Sequence, residues 1–449
     1  MESIVKHVTC VECSKTYDLD TKSQLVHNVS CTCKEYNESN LNISVDLDNA
    51  RIKLFETVEN NFPNKSFTLE TALSVKSQLQ IDGLTQPFAL MIMGKPSGNK
   101  TTILEIINST PGNYRSDKFT PKSFVSNSAN VKKDELKAID LLPRIRFKTL
   151  ITPELSTLFS DNEDSLKDNF GTLTRILDGQ GFTTDTGAHG QRGYVGDYHF
   201  MWLGAVVEVP HIVWKVLGNL GPRIYFTRIP DEDKTDPKAR LLSNITKEDY
   251  GTKIEECKFF MGEFWKYIDL QDPIKWDKKR DSQETIGKII ECAILLSKLR
   301  ASVPSWHTEG QSGTNYNFER PITEDPSRAT SALYNLARGH AVLYGRNYIQ
   351  EEDLKVVFNV AINSAKRDRV DLFKLLLSKE KITVEELVEF SKVSPPTARK
   401  NMRMMELLGL VEFEKADSNT KPMNVIKLKA TFEWFRTEEA KKLLEGMGL

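Results

Sequence analysis

The most constraining feature of this 449-residue sequence is an apolar run that ends in a glycine-rich turn containing lysine. The run, PFALMIMG, is short and rich in large apolar residues, which predicts a strand buried on both faces of a parallel sheet. The segment that follows, KTTILEIINST, has apolar residues at helical spacing. Strand, glycine-rich loop and helix together predict the start of a βαβ unit.

The loop matches G-x-x-x-x-G-K-[ST] in register, except that Asn99 stands at the second glycine position and Gly98 lies one place earlier. Asparagine is among the few residues that tolerate positive φ, so the departure is compatible with backbone N–H groups turned inward around a phosphate. Lys100 is predicted to bridge the β- and γ-phosphates, and the Thr101 hydroxyl to bind Mg²⁺. The predicted nucleotide-binding residues are Gly94, Pro96, Ser97, Gly98, Asn99, Lys100, Thr101 and Thr102. The alternative is a glycine-rich turn that contains Lys-Thr by chance.

A nucleotide site also needs an acidic group at the end of a neighbouring strand, and the run FKTLITPEL supplies Glu154. We predict that Glu154 orients the attacking water. Pro153 occupies the position at which a magnesium-associated aspartate is usual, and Thr152 is the nearest substitute. The alternative is that Glu154 caps a helix that starts there, because acidic residues favour first turns.

Further apolar runs, YHFMWLGAVVEVP and PRIYFTRIP, predict more strands, with a helix at DSLKDNFGTLTRILDG. Alternating strands and helices favour an α/β layer structure. Residues 247–300 and 327–378 predict a mostly helical unit. The alternation at Ile43, Val45 and Leu47 predicts a short strand pair or a connector. The predicted divisions are 1–36, a connector at 37–66, an α/β core at 67–245, a helical unit at 246–375 and a C-terminal unit at 376–449.

Four of the six cysteines form two close pairs near the N-terminus, Cys10-x-x-Cys13 and Cys31-x-Cys33. Such pairs suit the corners of a tetrahedral Zn²⁺ site, with His7 and His27 as substitute ligands, and the spacing resembles a zinc ribbon. The segment has few large apolar residues, so metal binding is expected to contribute on the order of 10 kcal/mol to its folding. The two isolated cysteines, Cys257 and Cys292, are predicted to fill the core.

Residues 371–449 predict three helices, one starting at Asp371, one behind an N-cap Thr383 and one after Ser394, followed by strands at 410–413 and 425–428. This pattern is similar to a winged helix. Its third helix carries side chains suited to phosphate and base contacts, namely Thr397, Arg399, Lys400, Asn401 and Arg403. Protein docking by the same fold, or a solvated basic face, is the alternative.

Residues 68–375 resemble an AAA+ ATPase, and the second half is similar to the minichromosome maintenance helicases. PSRATSALYNLARGHA at 326–341 resembles the lid helix of that group, which implies that Arg328 is the sensor-2 residue and reaches the γ-phosphate in its own chain. LGPRIYF at 220–226 resembles the motif carrying an arginine finger for the neighbouring subunit, which implies Arg223, with Arg228 as the nearest competitor. The alternative is that these arginines pair with surface carboxylates.

Five glycines between 179 and 193 fit an extended hairpin. In the family an insertion here projects into the ring pore, which implies substrate contacts for His189, for Arg192 on phosphate and for Tyr194 on bases. A plain flexible loop is the alternative. The polar sensor-1 residue is not identified, since only Glu208 lies near the expected strand end.

The resemblance thus implies an α/β fold, with a P-loop AAA+ core, a helical lid, a zinc ribbon and a winged helix. It also implies ATP hydrolysis with Mg²⁺ in a homo-oligomeric ring, usually a hexamer, that acts on DNA as a translocase or helicase. The alternative is a remodeller of protein complexes or a transcription-regulatory switch that docks proteins through its two ends.

The 61 Lys and Arg residues balance 62 Asp and Glu residues, so nucleic-acid contacts must come from local basic patches. The N-terminus lacks the apolar core of a signal peptide, and no run reaches about 18 apolar residues, so a cytoplasmic protein without membrane contact is expected.

Overall fold

The computed structural model divides the chain into two compact units, Met1–Asn49 and Ala50–Leu449. The described residues are 5–9, 16–20, 38–84, 86–126, 135–156, 158–159, 162–186, 190–220, 223–230, 250–269, 272–310, 313–415 and 424–444. In the first unit, strands β1 (Val5–Thr9) and β2 (Thr16–Asp20) pair antiparallel. The four N-terminal cysteines, His27 and His189 lie outside the described residues.

Helix α1 (Glu38–Asn61) occupies the stretch for which a strand pair or connector was expected, so the strand interpretation is wrong. Leu54, Val58 and Phe62 lie four residues apart and are buried, which is the spacing of one helix face. The strand-like alternation around Ile43 and Val45 covers too few residues to outweigh this helical spacing.

A five-stranded parallel sheet forms the centre of the second unit. Strands β3 to β9 are Phe88–Met93, Asn113–Arg115, Thr149–Thr152, Gly181–Thr186, Gly190–Val195, Met201–Val206 and Ile224–Arg228. The sheet order is β4-β5-β8-β3-β9, and β6 pairs only with β7 in an antiparallel hairpin. All six residues of β3 are buried, as its continuous apolar run predicts. The predicted parallel α/β layer is confirmed, and the short edge strand β4 is an addition to it.

Helices cover this sheet and enclose its core. They are α2 (Ser66–Lys76), α3 (Lys100–Asn108), α4 (Leu136–Ile139), α5 (Leu141–Ile145), α6 (Glu163–Ile176) and α7 (His211–Leu220). Trp202 and Phe226 from the sheet and Phe170 from α6 belong to one buried apolar cluster. This cluster fixes where the ends of the strands lie, and those ends carry the site residues.

The region that was predicted to be helical contains five helices and one hairpin among its described residues. The helices are α8 (Tyr250–Ile268), α9 (Gln283–Arg300), α10 (Ser327–Leu343), α11 (Leu354–Asn363) and α12 (Arg367–Ser378); the hairpin, absent from the sequence prediction, is β10 (Ser305–Gly310) with β11 (Gly313–Phe318). Helix α10 approaches α2 closely, since a Cβ on Gly339 would lie 1.9 Å from the Ser74 carbonyl oxygen. Helix α12 crosses the division expected at 375/376.

The C-terminal residues form an antiparallel three-stranded sheet with helices around it. The elements are β12 (Lys381–Thr383), α13 (Val384–Ser391), α14 (Pro395–Leu407), β13 (Val411–Lys415), β14 (Asn424–Leu428) and α15 (Glu438–Leu444), with sheet order β12-β14-β13. Thr383 caps α13 in a capping box with Glu386, as the sequence predicts. Cys257 and Cys292 are buried. Within the described ranges, no helix is both long and apolar enough to cross a bilayer.

Candidate functional site

The loop between β3 and α3 has the backbone conformation that inward-facing amides require. Ser97 and Asn99 have φ of 58° and 61°, and Asn99 is the N-cap of α3. Asn99 thus adopts a positive φ, which asparagine tolerates better than most residues. At Gly98, a Cβ would lie 2.9 Å from the Lys95 carbonyl oxygen, so a side chain there would strain the turn. Successive turns of this kind direct N–H groups into a concavity that suits an anion.

The side chain of Lys100, the first residue of α3, reaches into this loop. Its Nζ donates hydrogen bonds to the carbonyl oxygens of Gly94 at 2.9 Å and Lys95 at 2.7 Å. Burial lowers the pKa of Lys100, and the negative charge of Glu154 opposes that shift. The lysine charge therefore sits at the loop centre, within the electrostatic reach of Glu154.

The two threonines after Lys100 differ. Thr101 is exposed at the first turn of α3, whereas the Thr102 hydroxyl is buried and shares a 2.7 Å hydrogen bond with the Tyr250 hydroxyl of α8. Thr101 is thus the residue whose hydroxyl suits a cation near the phosphates, and the Thr102 side chain has a packing role.

Glu154 lies just beyond β5 at the carboxyl edge of the sheet. It is exposed and accepts hydrogen bonds from the Ser156 backbone N–H at 2.8 Å and from the Ser156 hydroxyl. Among the described residues no helix starts at Glu154, and the next described helix begins at Glu163. Thr152 is buried and its hydroxyl accepts from the Trp202 indole at 3.2 Å, which turns this substitute for a magnesium ligand into the core.

A second charged pair, Arg228 and Glu208, lies at the same edge, and the sequence did not indicate that these two residues meet. Arg228 ends β9 and makes two hydrogen bonds with Glu208, at 3.1 and 3.2 Å. Arg228 is the register partner of Met93, the residue before the loop glycine Gly94. The sequence feature that could have identified this pair is a charged residue at the end of each of two apolar runs, Glu208 in 201–208 and Arg228 in 224–228.

A cluster of arginines surrounds one carboxylate at the opposite, amino edge of the sheet. Asp178 Oδ1 accepts from Arg223 Nε at 3.1 Å and lies 2.8 Å from Arg328 Nη1, while Oδ2 accepts from Arg175 Nη1 at 3.1 Å. Burial lowers the pKa of Arg223, and the charge of Asp178 opposes this shift. Burial also raises the pKa of Glu324, against the attraction of three nearby arginines.

The cluster and the loop lie at different ends of the strands. Arg223 directly precedes β9, and Gly179, next to Asp178, approaches Pro87 at the start of β3. The six residues of β3, at about 3.3 Å each, separate this edge from the loop by about 20 Å. In its own chain Arg328 therefore stands with Arg223 and away from Lys100, which differs from the expected cis sensor role.

The hairpin β6–β7 forms as expected from its glycines, and its base is anchored to the core. The Tyr194 hydroxyl donates to Asp140 at 2.8 Å, its ring packs against Tyr198, and burial and Asp140 raise its pKa. This anchoring gives Tyr194 a packing role in this chain. Arg192 is partly exposed on the same strand.

The predicted nucleic-acid residues of α14 point to two faces of the helix. Thr397, Lys400 and Asn401 line a cavity shared with α7 and the end of α9. Arg399 and Arg403 line a different cavity, where Arg403 pairs with Glu406.

A buried ionic network fixes the other end of the helix that carries Arg328. His340 is fully buried, with Nδ1 2.5 Å from Asp353 Oδ1 and Nε2 3.1 Å from Glu70 Oε1. Burial opposes protonation, but the hydrogen bonds of the two carboxylates outweigh it and raise the pKa of His340. Burial also opposes ionisation of Glu70, yet the bond and charge of His340 lower its pKa to about 2. The protonated imidazole thus ties α10 to α2.

Comparisons with known proteins add structural neighbours at low similarity. The fold is similar to that of a full-length MCM homolog from Methanopyrus kandleri, with a TM-score of 0.37, 10% identity and 78% of this chain covered; the match spans 64% of the homolog. It is also similar to the NrS-1 C-terminal region, with a TM-score of 0.23, 10% identity and coverage of 86% of this chain and 76% of that one. No protein-family model and no curated protein matches the sequence.

Proposed function

We propose that this protein hydrolyses ATP at sites shared between copies of the chain and acts on nucleic acid as a ring-forming AAA+ translocase or helicase. The observation that carries the proposal is the loop 94–102, which follows a central parallel strand with positive φ at Ser97 and Asn99 and with Lys100 at its centre. In open parallel sheets, ligands bind beyond the carboxyl ends of the strands.

The chemistry follows from charge placement. The loop amides and the N-terminus of α3 bind the β-phosphate, and Lys100 neutralises charge on the β- and γ-phosphates. Glu154, exposed and close enough to influence the Lys100 pKa, accepts a hydrogen bond from the water that attacks the γ-phosphate. Ser156 orients the Glu154 carboxylate.

A magnesium ion fits this donor set in part. Thr101 offers an exposed hydroxyl at the loop, and Mg²⁺ would neutralise phosphate charge there. Pro153 offers no oxygen from a side chain, so the remaining ligands would be phosphate oxygens and water.

The arginine cluster supports a shared site. Arg223 and Arg328 lie at the amino edge, roughly one strand length from the loop of the same chain. An arginine can stabilise the developing phosphoryl charge only at contact distance. Both arginines are therefore assigned to the nucleotide of a neighbouring copy, and head-to-tail contacts of this type close into rings.

Nucleic acid is proposed as the substrate because basic and polar side chains of α14 meet other cations at the cavity beside α7. A winged-helix role for 376–449, with Thr397, Arg399, Lys400 and Arg403 as contacts, remains part of the proposal, as does Arg192 on the hairpin. A zinc ribbon built by Cys10, Cys13, Cys31 and Cys33 stays a prediction for residues 1–36.

ATP turnover with and without single-stranded or duplex DNA tests the proposal. We expect turnover in the parent protein to rise when DNA is added, because a motor couples hydrolysis to its track. Turnover that is indifferent to DNA but responsive to a protein would contradict the nucleic-acid assignment.

A protein remodeller or regulatory switch is the second candidate. It is favoured by Pro153, which removes a magnesium-associated carboxylate, and by the Ser156 contacts, which occupy one of the two carboxylate oxygens of Glu154. Both features would slow hydrolysis, which suits a switch better than a fast motor.

A further inference from the structure

A cavity of about 600 Å³ lies between helix α7, the end of α9 and helix α14. Its charged lining consists of five cations and one carboxylate, namely Lys215, Arg300, Lys366, Arg369, Lys400 and Asp368. Five minus one leaves a surplus of four positive charges, or three when Glu163, which pairs with Lys215 from outside the cavity, is included. A concave surface with such a surplus concentrates anions.

The two arginines are built into the wall. Arg300 and Arg369 are 7% and 8% exposed, and their described hydrogen bonds go to backbone carbonyl oxygens at 2.6 to 2.8 Å. The carbonyl oxygens carry no net charge, so these bonds leave both positive charges at the cavity, although Glu324, which is outside the lining, offsets part of the Arg300 charge. Arg300 Nη1 and Arg369 Nε are also buried without a hydrogen-bond partner among the described residues. Buried charges of this kind are stabilised by an anion.

The lysines crowd one another on the same cavity. Burial lowers the pKa of Lys400, and the positive charge of Lys366 adds to this shift while Asp368 opposes it. Burial and Lys366 likewise lower the pKa of His211, which is neutral at pH 7 and adds no charge. Lys366 contacts Asp368 at 2.9 Å, and Asp368 is the one carboxylate among the residues that line the cavity. An anion with more than one charge would relieve the remaining repulsion.

We propose that this cavity binds a chain of phosphate groups, contacted by Arg300, Lys366 and Lys400. The phosphates come from a polynucleotide backbone or from a free polyphosphate, and the polynucleotide source rests on the proposed function. Lys400 Nζ lies 4.7 Å from the centre of the Tyr316 ring on β11. An aromatic ring beside a phosphate-binding cation is the arrangement that stacks a base of a single strand.

The test compares two double variants of the full chain. Lys366→Ala with Lys400→Ala removes two cavity cations, and Lys278→Ala with Lys279→Ala, which removes two exposed cations outside this cavity, is the matched control. Both are made with Lys100→Ala, which removes phosphate binding at the loop. The probes are a labelled single-stranded oligonucleotide, followed by fluorescence anisotropy over a range of salt, and tripolyphosphate, followed by calorimetry, both without ATP.

We expect the cavity variant to weaken binding about tenfold or more. For the oligonucleotide, the slope of log K against log salt should fall by about 1.4, since each single-strand phosphate contact contributes about 0.7. The Lys278/Lys279 control should keep the slope of the Lys100→Ala protein. Lys366→Arg with Lys400→Arg should restore binding because the charges remain, and unchanged thermal unfolding shows that the fold survives.

Weakened binding of both probes, or of the oligonucleotide alone, supports the cavity and a polynucleotide source; weakened binding of tripolyphosphate alone supports a free polyphosphate. Unchanged affinity and slope for both probes in the cavity variant would overturn the inference. A protein that binds either probe through this cavity but hydrolyses no ATP would refute the proposed function and leave the phosphate cavity in place.

Discussion

The two ends of the parallel sheet in this protein carry different charged groups, which the proposed function assigns to two parts of one phosphoryl transfer. The carboxyl edge offers backbone amides, a buried lysine and an exposed glutamate around the loop 94–102. The amino edge gathers three arginines on the single carboxylate of Asp178. The first edge suits the binding of a phosphate chain, and the second suits the stabilisation of charge that develops on it.

The separation of these edges is the reason that the proposed site needs more than one chain. About 20 Å of strand lies between the loop and the arginines, far beyond hydrogen-bonding distance. In the proposed function, a complete site combines the carboxyl edge of one copy with the amino edge of the next. Asp178 would then have a second role, since it neutralises the arginines until a more highly charged phosphate competes for them.

The largest effect is expected at the carboxyl edge. Lys100→Ala should lower ATP turnover by about 1,000-fold or more, because the central charge of the loop is lost. Thermal unfolding should change little, since the Lys100 contacts are with loop carbonyls. Equal turnover in parent and variant would show that the loop is not a nucleotide site.

Mixing two inactive variants tests the division between edges directly. Arg223→Ala should lose about 1,000-fold in turnover. An equal mixture of Lys100→Ala and Arg223→Ala chains should regain about a quarter of the parent turnover, because a quarter of the shared sites would join an intact loop to an intact arginine. A mixture as inactive as its components would place both residues in one chain's site.

A substitution of Glu154 distinguishes nucleotide binding from hydrolysis. Glu154→Gln keeps the shape of the side chain, but glutamine cannot accept a proton, so turnover should fall about 100-fold while ATP affinity is retained. Equilibrium binding of a labelled ATP analogue, measured beside turnover, distinguishes the two. Loss of affinity together with turnover would assign Glu154 to nucleotide binding instead.

The free energy of unfolding should depend on the buried network of His340, Glu70 and Asp353, which holds α10, the helix that carries Arg328. The pKa of His340 is raised above 6.5, so its contribution to folding stability is full below about pH 6.5 and is lost as the pH rises through the folded pKa. The pKa of Glu70 is lowered from 4.5 to about 2, so its contribution to folding stability is lost as the pH falls between those two values. His340→Gln should therefore cost about 3 kcal/mol in the free energy of unfolding at pH 6 and less at pH 9. Urea unfolding at both pH values measures this, and an equal cost at both would show that the histidine is uncharged.

The smallest effect distinguishes Arg228 from Arg223. Arg228 lies beside the loop at the carboxyl edge, held by Glu208, so Arg228→Ala should lower turnover only about tenfold. Its mixture with Arg223→Ala chains should recover activity, whereas its mixture with Lys100→Ala chains should not. The reverse pattern would make Arg228 the residue that acts on the neighbouring copy.

Much of the sheet could be predicted because its strands are continuous apolar runs. PFALMIMG and the two runs that form β8 and β9 have no competing helical pattern. Within 37–66, the alternation of Ile43, Val45 and Leu47 favours strands over only five residues, whereas the four-residue spacing of Leu54, Val58 and Phe62 agrees with helix α1. The hairpin 305–318 carries few large apolar residues, and its strands pair only with each other, so the sequence offered little signal.

By itself, the sequence determined the conformation of the loop 94–102, because the conformations open to glycine and asparagine and the order strand, loop, helix are local properties of the chain. It also determined which arginines were candidates. Only the tertiary structure decided where these side chains meet: that Arg223 and Arg328 share Asp178, that Thr152 faces the core, and that α14 divides its cations between two cavities. These contacts depend on the order of the strands and on the packing of helices far apart in sequence, which the local spacing of residues does not reveal.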